Sequence, residues 1–152
     1  MEGIKIICVN KKARHEYTIE DSLEAGLVLA GTEVKALREG KGSLIDAFAE
    51  FEKGEPYLYN CHINPYTPAH QFNHHPKRKR KLLLNKREIG RLIGKTREKG
   101  CSLIPLKLYF KNGRVKVDLA VARGKKFYDK REDLKRREAE REISRAMKSR
   151  NR

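Results

Sequence analysis

Several features that mark other protein classes are missing from this chain. It has no long apolar run, no signal-peptide pattern and no lipidation motif near Met1 or Arg152, so we expect no membrane partner and a cytoplasmic location. Only three cysteines are present, Cys8, Cys61 and Cys101, and none belongs to a CxxC pair. Neither a disulfide framework nor a thiolate zinc site is therefore indicated, and we expect small buried thiols.

Signatures of catalysis are missing as well. The chain has no GxSxG, P-loop, HExxH or HxE-with-CxxC pattern, and we therefore predict that it is not an enzyme. One alternative stays open, a metal-dependent RNA-processing nuclease that uses Asp46 and Glu50. These two acids alternate with Ile45, Ala47 and Phe48, which is more typical of the solvent-facing side of a strand.

The histidines do not form a metal-binding pattern either. His74 and His75 are adjacent rather than spaced for one helical face, and no Cys or Asp pattern accompanies them or His62 and His70. We predict no metal and no cofactor.

Positive charge is abundant. The chain has 36 Lys and Arg against 20 Asp and Glu, a net charge of +16. Residues 124–152 hold twelve of the cations and six of the acids, which leaves +10 on residues 1–123. Both parts are therefore candidates for binding nucleic acid.

Residues 124–152 form a basic tail with too few apolar side chains to fold alone. The tail has no proline and is rich in helix formers, so we expect it to be disordered when free and helical once a polyanion neutralises it. The alternative is a solvated helix or frayed terminus without a partner. Residues 1–123 are long enough for one core and form the predicted body.

Alternating apolar residues predict that the body is rich in strands. Residues 102–123 form a hairpin around Asn112-Gly113, with Ile104, Leu106, Leu108 and Phe110 facing one way and Val115, Val117, Leu119 and Val121 doing the same on the second strand. Residues 52–55 are the predicted turn of a second hairpin. Pro56, at the start of its second strand, indicates an edge strand. Residues 15–29 are a third candidate strand, where Gly26 marks a bulge or a close backbone approach.

Two short helices are predicted between these strands. The first spans residues 33–39 and ends before Gly40, and the second spans residues 86–99 and ends before Gly100. Asn85 and Glu88 form a capping box for the second helix. The pattern predicts a mainly β fold: a small antiparallel oligonucleotide-binding-like β-barrel with two or three short helices and a basic C-terminal tail.

Two groups in the body suit RNA. Residues 77–81 are five consecutive cations, which would destabilise a packed element unless a polyanion neutralised them, and which suit phosphate contacts. The alternative is a solubilising loop. The second group mixes cations, an amide and rings that could stack on unpaired bases: Asn10, Lys11, Lys12, Arg14, His15 and Tyr17.

Four blocks, residues 24–29, 31–38, 80–88 and 124–131, together closely resemble the bacterial tmRNA-binding proteins, the small protein B family. The resemblance spans nearly the whole chain. It implies a barrel that binds the tRNA-like domain of tmRNA, supports its delivery with elongation factor Tu, and fills the decoding region and mRNA channel of a stalled ribosome for trans-translation. We expect a monomer.

The resemblance implicates Glu24, Leu83 and Asn85 in holding the RNA, together with the N-terminal group. Asn85 could instead act only as a helix cap and Leu83 as core, whereas Glu24 could orient a neighbouring Arg rather than touch RNA. The full predicted RNA-binding set is Asn10, Lys11, Arg14, His15, Glu24, Lys35, Arg38, Lys77, Arg78, Lys79, Arg80, Lys81, Leu83 and Asn85.

In the tail, the resemblance implies a ribosome-binding helix. Asp129 and Glu132 make a capping box, and a helix from there to Met147 would be about 28 Å long. Gly124 is the expected hinge and Tyr128 the expected stacking residue. The predicted tail contacts are Gly124, Lys125, Lys126, Tyr128, Asp129, Lys130, Arg131, Lys135, Arg136 and Arg137.

A rival interpretation has the same charge and barrel. A ribosomal protein or ribosome-assembly factor would bind rRNA constitutively and thread its tail between rRNA helices.

Overall fold

The computed structural model describes residues 3–98, 100–124, 141 and 143. Nine strands make up most of the body: β1 Ile4–Val9, β2 Tyr17–Leu27, β3 Gly42–Ser43, β4 Phe48–Glu52, β5 Glu55–Tyr59, β6 His62–Ile63, β7 Arg80–Leu83, β8 Cys101–Lys111 and β9 Arg114–Gly124. The helices are α1 Ala13–Glu16, α2 Gly31–Arg38 and α3 Lys86–Thr96, with a 3₁₀ helix at Thr67–Phe72.

Six antiparallel strands close into a ring. Their order is β8, β4, β5, β7, β2 and β9, and β9 pairs back onto β8. β1 pairs with residues 107–111 of β8, beyond the point where Ala49 of β4 pairs with Leu103. The fold is thus a small antiparallel barrel with a few short helices, as predicted.

Both predicted hairpins form, and both turn on a pair of residues with positive φ. These pairs are Lys53-Gly54, with φ of 53° and 79°, and Asn112-Gly113, with φ of 52° and 78°. Such turns match the twist of the strands they join. The edge position predicted from Pro56 is wrong, because β5 lies between β4 and β7. Pairing with β7 involves only Tyr57 and Leu58, so Pro56 is not needed as a donor there.

The predicted single apolar face of β8 is also wrong. The register of β8 against β9 shifts between Pro105 and Lys107, which turns the strand over. Leu108 therefore packs into the main core with Val117, whereas Ile104 joins a smaller cluster with Ala13 and Ala122. On β9, the predicted set at positions 115, 117, 119 and 121 faces the main core throughout.

The strand predicted at residues 15–29 begins two residues later, because His15 belongs to α1. Its bulge lies between Ile19 and Asp21 rather than at Gly26. Gly26 is instead a close approach, since a Cβ there would lie 3.1 Å from Cβ of Leu83.

Both predicted helices are present. α2 starts two residues before the predicted point and Gly40 follows it with φ of 75°. α3 starts where predicted, with the Asn85–Glu88 capping box formed, and ends three residues early. Cys61 is fully buried, and burial raises its pKa to about 12. Among the described residues, no helix is long and apolar enough to cross a membrane.

Candidate RNA interface

Glu33 of α2 organises the basic run at residues 77–81. Its side chain is fully buried, accepts from the Ala30 N–H at 2.8 Å, and forms ion pairs with Arg78 and Arg80. Burial alone would raise the pKa of Glu33, but the bonds from Arg78, Ala30 and Arg80 outweigh it and hold that pKa below its ordinary value. This carboxylate is therefore an anion at neutral pH.

Arg80 must be removed from the predicted RNA-binding set. It is the first residue of β7, its side chain points inward, and it has no exposed surface. Its guanidinium also donates to the Pro76 carbonyl at 3.0 Å. This part of the basic run is accommodated in a packed strand without a polyanion, because Glu33 pairs with Arg78 and Arg80 from within the protein.

The other cations of the run differ in whether an acidic side chain of the protein already pairs with them. Lys79 pairs with Glu52 at 2.6 Å and lies 4.4 Å from the centroid of the Tyr57 ring. Lys81 pairs with Glu55 at 3.0 Å. Lys77 is exposed, and no ion pair is recorded for it among the described residues.

A charged surface that we call the hairpin face lies on the outer side of β2, β8 and β9, with three lysines, two carboxylates and a tyrosine, Tyr109, that is only 5% exposed. Strand register places Glu24 opposite Asp118, and Asp118 opposite Lys107; the next row is Gly26, Lys116 and Tyr109. The hairpin face consists of Glu24, Lys107, Tyr109, Lys111, Lys116 and Asp118.

Glu24 is held in place on this face by a tyrosine and a lysine. Its Oε2 accepts from the Tyr109 hydroxyl at 2.5 Å and from Lys111 Nζ at 3.4 Å. The bond from Tyr109 is the largest effect on the pKa of Glu24 and, with Lys111 and Lys116, lowers it against the opposing effect of burial. Glu24 therefore positions Tyr109 and Lys111, whereas the sequence suggested that it would orient a neighbouring Arg. An ionised carboxylate has further lone pairs that can accept from a base amine or a ribose hydroxyl.

Leu83 extends the hairpin face across β2. It pairs with Gly26, and 53% of its surface is exposed, so the prediction that it could be core is wrong. The alternation of β7 explains this, because Arg80 and Leu82 point inward and Lys81 and Leu83 outward.

Asn85 follows two residues later and caps α3. Its Oδ1 accepts from the Glu88 N–H at 2.8 Å, and Glu88 Oε1 accepts from the Asn85 N–H at 3.1 Å. No partner for its Nδ2 is recorded among the described residues, and the residue is exposed. One oxygen thus does the capping, and two N–H donors remain for a ligand.

Arg14 of the N-terminal group is exposed, and its positive charge acts on Asp118 of the hairpin face. Burial raises the pKa of Asp118, and the positive charges of Lys107 and Arg14 oppose that shift. Lys11 and His15 are exposed beside it. Asn10 is half-buried and partly used by the fold, since its Nδ2 donates to the Pro105 carbonyl at 3.0 Å.

The remaining two predicted body residues lie elsewhere. Lys35 and Arg38 are exposed on α2, and Lys35 Nζ lies 5.5 Å from the centroid of the Tyr66 ring. The structure thus places Glu24 and Leu83 on one surface, with Asn85 two residues beyond Leu83, and leaves Lys35 beside Tyr66 in the segment that follows β6.

The acids of the nuclease alternative line an open groove of about 1060 Å³ beside residues 8–13. Asp46 sits in a turn with φ of 61°, before β4 begins, so it is not on a strand. Neither Asp46 nor Glu50 belongs to a group of three or more metal-ligating side chains in the described part of the chain.

One such group is found among the described residues, at Glu20, Glu98 and Cys101. Arg123 lies among these side chains, with Nε 3.0 Å from Glu20 and Nη2 3.1 Å from Glu98. A guanidinium already supplies the positive charge there.

The tail begins beside the N-terminal group. Gly124 is the last residue of β9, pairs with Tyr17, and donates to the Gly100 carbonyl at 3.2 Å. The other predicted tail contacts, Lys125, Lys126, Tyr128, Asp129, Lys130, Arg131, Lys135, Arg136 and Arg137, lie outside the described residues.

Sequence reasoning missed Lys107, Tyr109, Lys111 and Lys116. A signal was available, because these residues occupy the alternate positions of the hairpin whose apolar half predicted the core. The alternation shows that they point outward. Their contact with Glu24 depends on the register between β2 and β9, which the alternation does not reveal.

Comparison with known proteins agrees with this architecture. The SmpB protein family matches residues 7–149. SsrA-binding proteins of Pelotomaculum thermopropionicum and Geobacillus thermodenitrificans are 61% and 60% identical over 150 and 146 residues; these alignments cover 99% and 96% of this chain, and 98% and 94% of those proteins. A solved structure described as "tmRNA-SmpB: a journey to the center of the bacterial ribosome" matches with a TM-score of 0.67 and 52% identity, over 79% of this chain and 85% of that one. The chain belongs to the SmpB protein family.

Proposed function

We propose that this protein binds tmRNA and takes it to stalled ribosomes, where it supports trans-translation. One observation carries this proposal: relatives that match it over nearly the whole chain at about 60% identity are SsrA-binding proteins. It acts by binding rather than by catalysis.

The hairpin face, extended by Leu83 and Asn85, is the proposed site for the tRNA-like domain. Lys107, Lys111 and Lys116 supply phosphate contacts, whose counterion release makes binding salt-dependent but independent of sequence. Glu24 adds a fixed acceptor and Asn85 a donor pair, which suit ribose hydroxyls and unpaired base edges. Leu83 adds apolar contact.

The tail is the proposed ribosome-binding part. Residues 124–152 carry +6 of the charge, and we infer that they become helical against rRNA in the decoding region and mRNA channel. Delivery as a monomer together with elongation factor Tu, in the cytoplasm, completes the proposal.

Sequencing the RNA that co-purifies with the chain tests this function. We expect a single small RNA with a tRNA-like domain to dominate. Stoichiometric rRNA that stays bound through high salt would instead support a ribosomal protein. Magnesium-dependent RNA cleavage that is lost in Asp46→Asn and Glu50→Gln would support a nuclease.

Truncation after Arg123 tests whether the body binds RNA without the tail. The truncated body keeps the hairpin face, so filter binding to the tRNA-like domain should stay within about twofold of the parent, while tagging on stalled ribosomes should be lost. Loss of tight RNA binding by the truncated body would contradict the assignment to the hairpin face.

A further inference from the structure

The segment between β6 and β7 is a closed loop held by side chains. Asn73 clamps it, since its Oδ1 accepts from the Tyr66 N–H at 2.7 Å and its Nδ2 donates to the Tyr66 carbonyl at 2.8 Å. His74 anchors the end of the loop, with Nε2 2.9 Å from the Ile63 carbonyl and Nδ1 2.9 Å from the Thr32 hydroxyl.

Further constraints limit the freedom of this loop. Pro65 and Pro68 fix two φ angles, and the Ala69 N–H donates to the Tyr66 carbonyl at 2.9 Å. A loop held at this many points loses little conformational entropy when it binds a partner.

This loop presents Phe72 to solvent. The residue ends the 3₁₀ helix and is 78% exposed, the largest exposure among the large hydrophobic side chains of the described residues. The clamp of Asn73 directly follows it. Because this aromatic ring lies outside the core on a constrained loop, it adds no hydrophobic stabilisation to the folded protein.

The charge around Phe72 is positive. From Pro56 to Arg87 the sequence has no Asp or Glu. Lys77 is exposed in the loop, three residues after His74, and Lys35 of α2 lies over the ring of Tyr66. Arg38 is exposed one turn after Lys35. Glu33 of the same helix is buried and paired, and Glu39, which follows Arg38, is paired with Lys41 at 3.2 Å. The surroundings therefore attract an anion.

We propose that residues 66–77 form a second RNA-binding site, in which Phe72 stacks on an unpaired base and Lys35, Arg38 and Lys77 contact the adjoining phosphates. We call this site the Phe72 loop. An exposed ring beside cations is the arrangement that binds single-stranded nucleotides, because every base has a face on which to stack. The site is separate from the hairpin face, and the inference rests on the proposed function only in that the partner is RNA.

An acidic protein surface would also be attracted to these cations. RNA is favoured because an acidic peptide needs the cations alone, whereas an unpaired base uses the exposed ring as well. The base could belong to tmRNA or to rRNA, so both are tested.

Affinity measurements on full-length variants provide the first test. Phe72→Leu removes the ring and keeps an apolar side chain, Phe72→Tyr keeps the ring, and Gln71→Ala is the matched control at a neighbouring exposed position. Each is titrated against the tRNA-like domain of tmRNA and, separately, against small ribosomal subunits. We expect Phe72→Leu to weaken binding to one of them by about 5-fold to about 150-fold. Phe72→Tyr and Gln71→Ala should bind like the parent.

The RNA whose binding weakens identifies the source of the base. Unchanged affinity of Phe72→Leu for both RNAs would overturn the proposal, as would equal weakening in Phe72→Leu and Phe72→Tyr. If the parent bound neither RNA, the proposed function itself would fail, which is a different result from a parent that binds both with no effect at Phe72.

Fluorescence provides a direct second test. The chain has no tryptophan, so Phe72→Trp places a single reporter at the site. Stacking on a base should quench its emission when the affected RNA is added, and an excess of parent protein should restore the emission. An unquenched tryptophan in a complex shown by filter binding to have formed would count against stacking.

Discussion

A single side chain can serve both the fold and RNA, as Asn85 illustrates. Capping uses only its Oδ1, at 2.8 Å from the Glu88 nitrogen. The two N–H donors of its Nδ2 remain for a ligand, so cap and contact do not compete.

Substitution separates these two roles of Asn85. Asn85→Asp and Asn85→Ser keep a capping oxygen and should melt close to the parent, whereas Asn85→Ala should lose about 1 kcal/mol of stability. Both capping variants should nevertheless bind the tRNA-like domain more weakly, Asp more so because its charge repels phosphate. Thermal melts and filter binding measure the two properties. Equal affinity of the parent, Asn85→Asp and Asn85→Ser would remove the contact role.

Glu33 is the buried counter-charge of Arg78 and Arg80 in the basic run at positions 77–81. Glu33→Gln leaves Arg80 buried without its counter-charge and should lower the free energy of unfolding by about 3 to 5 kcal/mol. Glu52→Gln, which removes the exposed partner of Lys79, is the control and should hardly change the melting temperature. Denaturant melts that show equal small losses for both variants would refute a special role for the buried pair.

The pH dependence of stability gives a second readout for Glu33. Its pKa is lower in the folded state than the ordinary value of 4.5, so its contribution is fully present above that value and is lost as the pH falls through the folded pKa. The melting temperature of the parent should therefore fall more steeply than that of Glu33→Gln below about pH 4.5. Parallel curves would indicate that Glu33 is not ionised in the folded protein.

Among the elements, the pairing of β2 with β7 connects the core to the proposed RNA-binding surface. Gly26 and Leu83 pair there, and an added Cβ at Gly26 would lie 3.1 Å from Cβ of Leu83. Because Cβ of Leu83 is fixed to its backbone, relief of this contact needs a shift of a few tenths of an ångström in the pairing of β2 with β7, and that shift also moves the exposed Leu83 side chain.

We therefore predict that Gly26→Ala changes RNA binding more than stability. The loss of backbone freedom in the unfolded chain offsets the crowding, so stability should stay within about 1 kcal/mol of the parent. Affinity for the tRNA-like domain should fall, because Leu83 is displaced. Gly94→Ala, in open space on α3, is the control and should raise stability by up to about 1 kcal/mol without changing affinity. Parent-like binding by Gly26→Ala would show that the position of Leu83 is not critical.

Short sequence patterns predicted the turns and the helix start correctly. The Asn112-Gly113 turn and the Asn85–Glu88 capping box formed where the sequence placed them, because each depends on residues within four positions. Burial of Arg80 could not be predicted in this way. Its partner Glu33 lies 47 positions earlier, and five consecutive cations indicate a solvated segment unless that pairing is known.

At the scale of the whole molecule, the body presents two proposed RNA surfaces and an attached tail. The hairpin face lies on β2, β8 and β9, and the Phe72 loop follows β6. β9 runs the length of the hairpin face, and its last residue, Gly124, pairs with Tyr17. A protein bound to tmRNA through the hairpin face would therefore carry its tail from the end of the same strand.

Separation of delivery from tagging is the expected property of that arrangement. The tail has too few apolar side chains to hold a helix against the body, and its aliphatic residues larger than alanine are Leu134, Ile143 and Met147. Its many cations favour the coil until RNA phosphates neutralise them. We expect NMR of the free protein to show no stable tail helix.

The proline variant Arg137→Pro tests whether the tail must be helical on the ribosome. It breaks the helix at its middle, at a cost of about 3 kcal/mol, and removes one charge. We expect it to bind tmRNA and reach stalled ribosomes but to abolish tagging. Arg137→Ala removes the same charge without breaking the helix and should tag nearly as well as the parent, and Met147→Pro, close to the helix end, should be mild. Normal tagging by Arg137→Pro, measured in a reconstituted stalled-translation assay, would refute a helical tail as the active form.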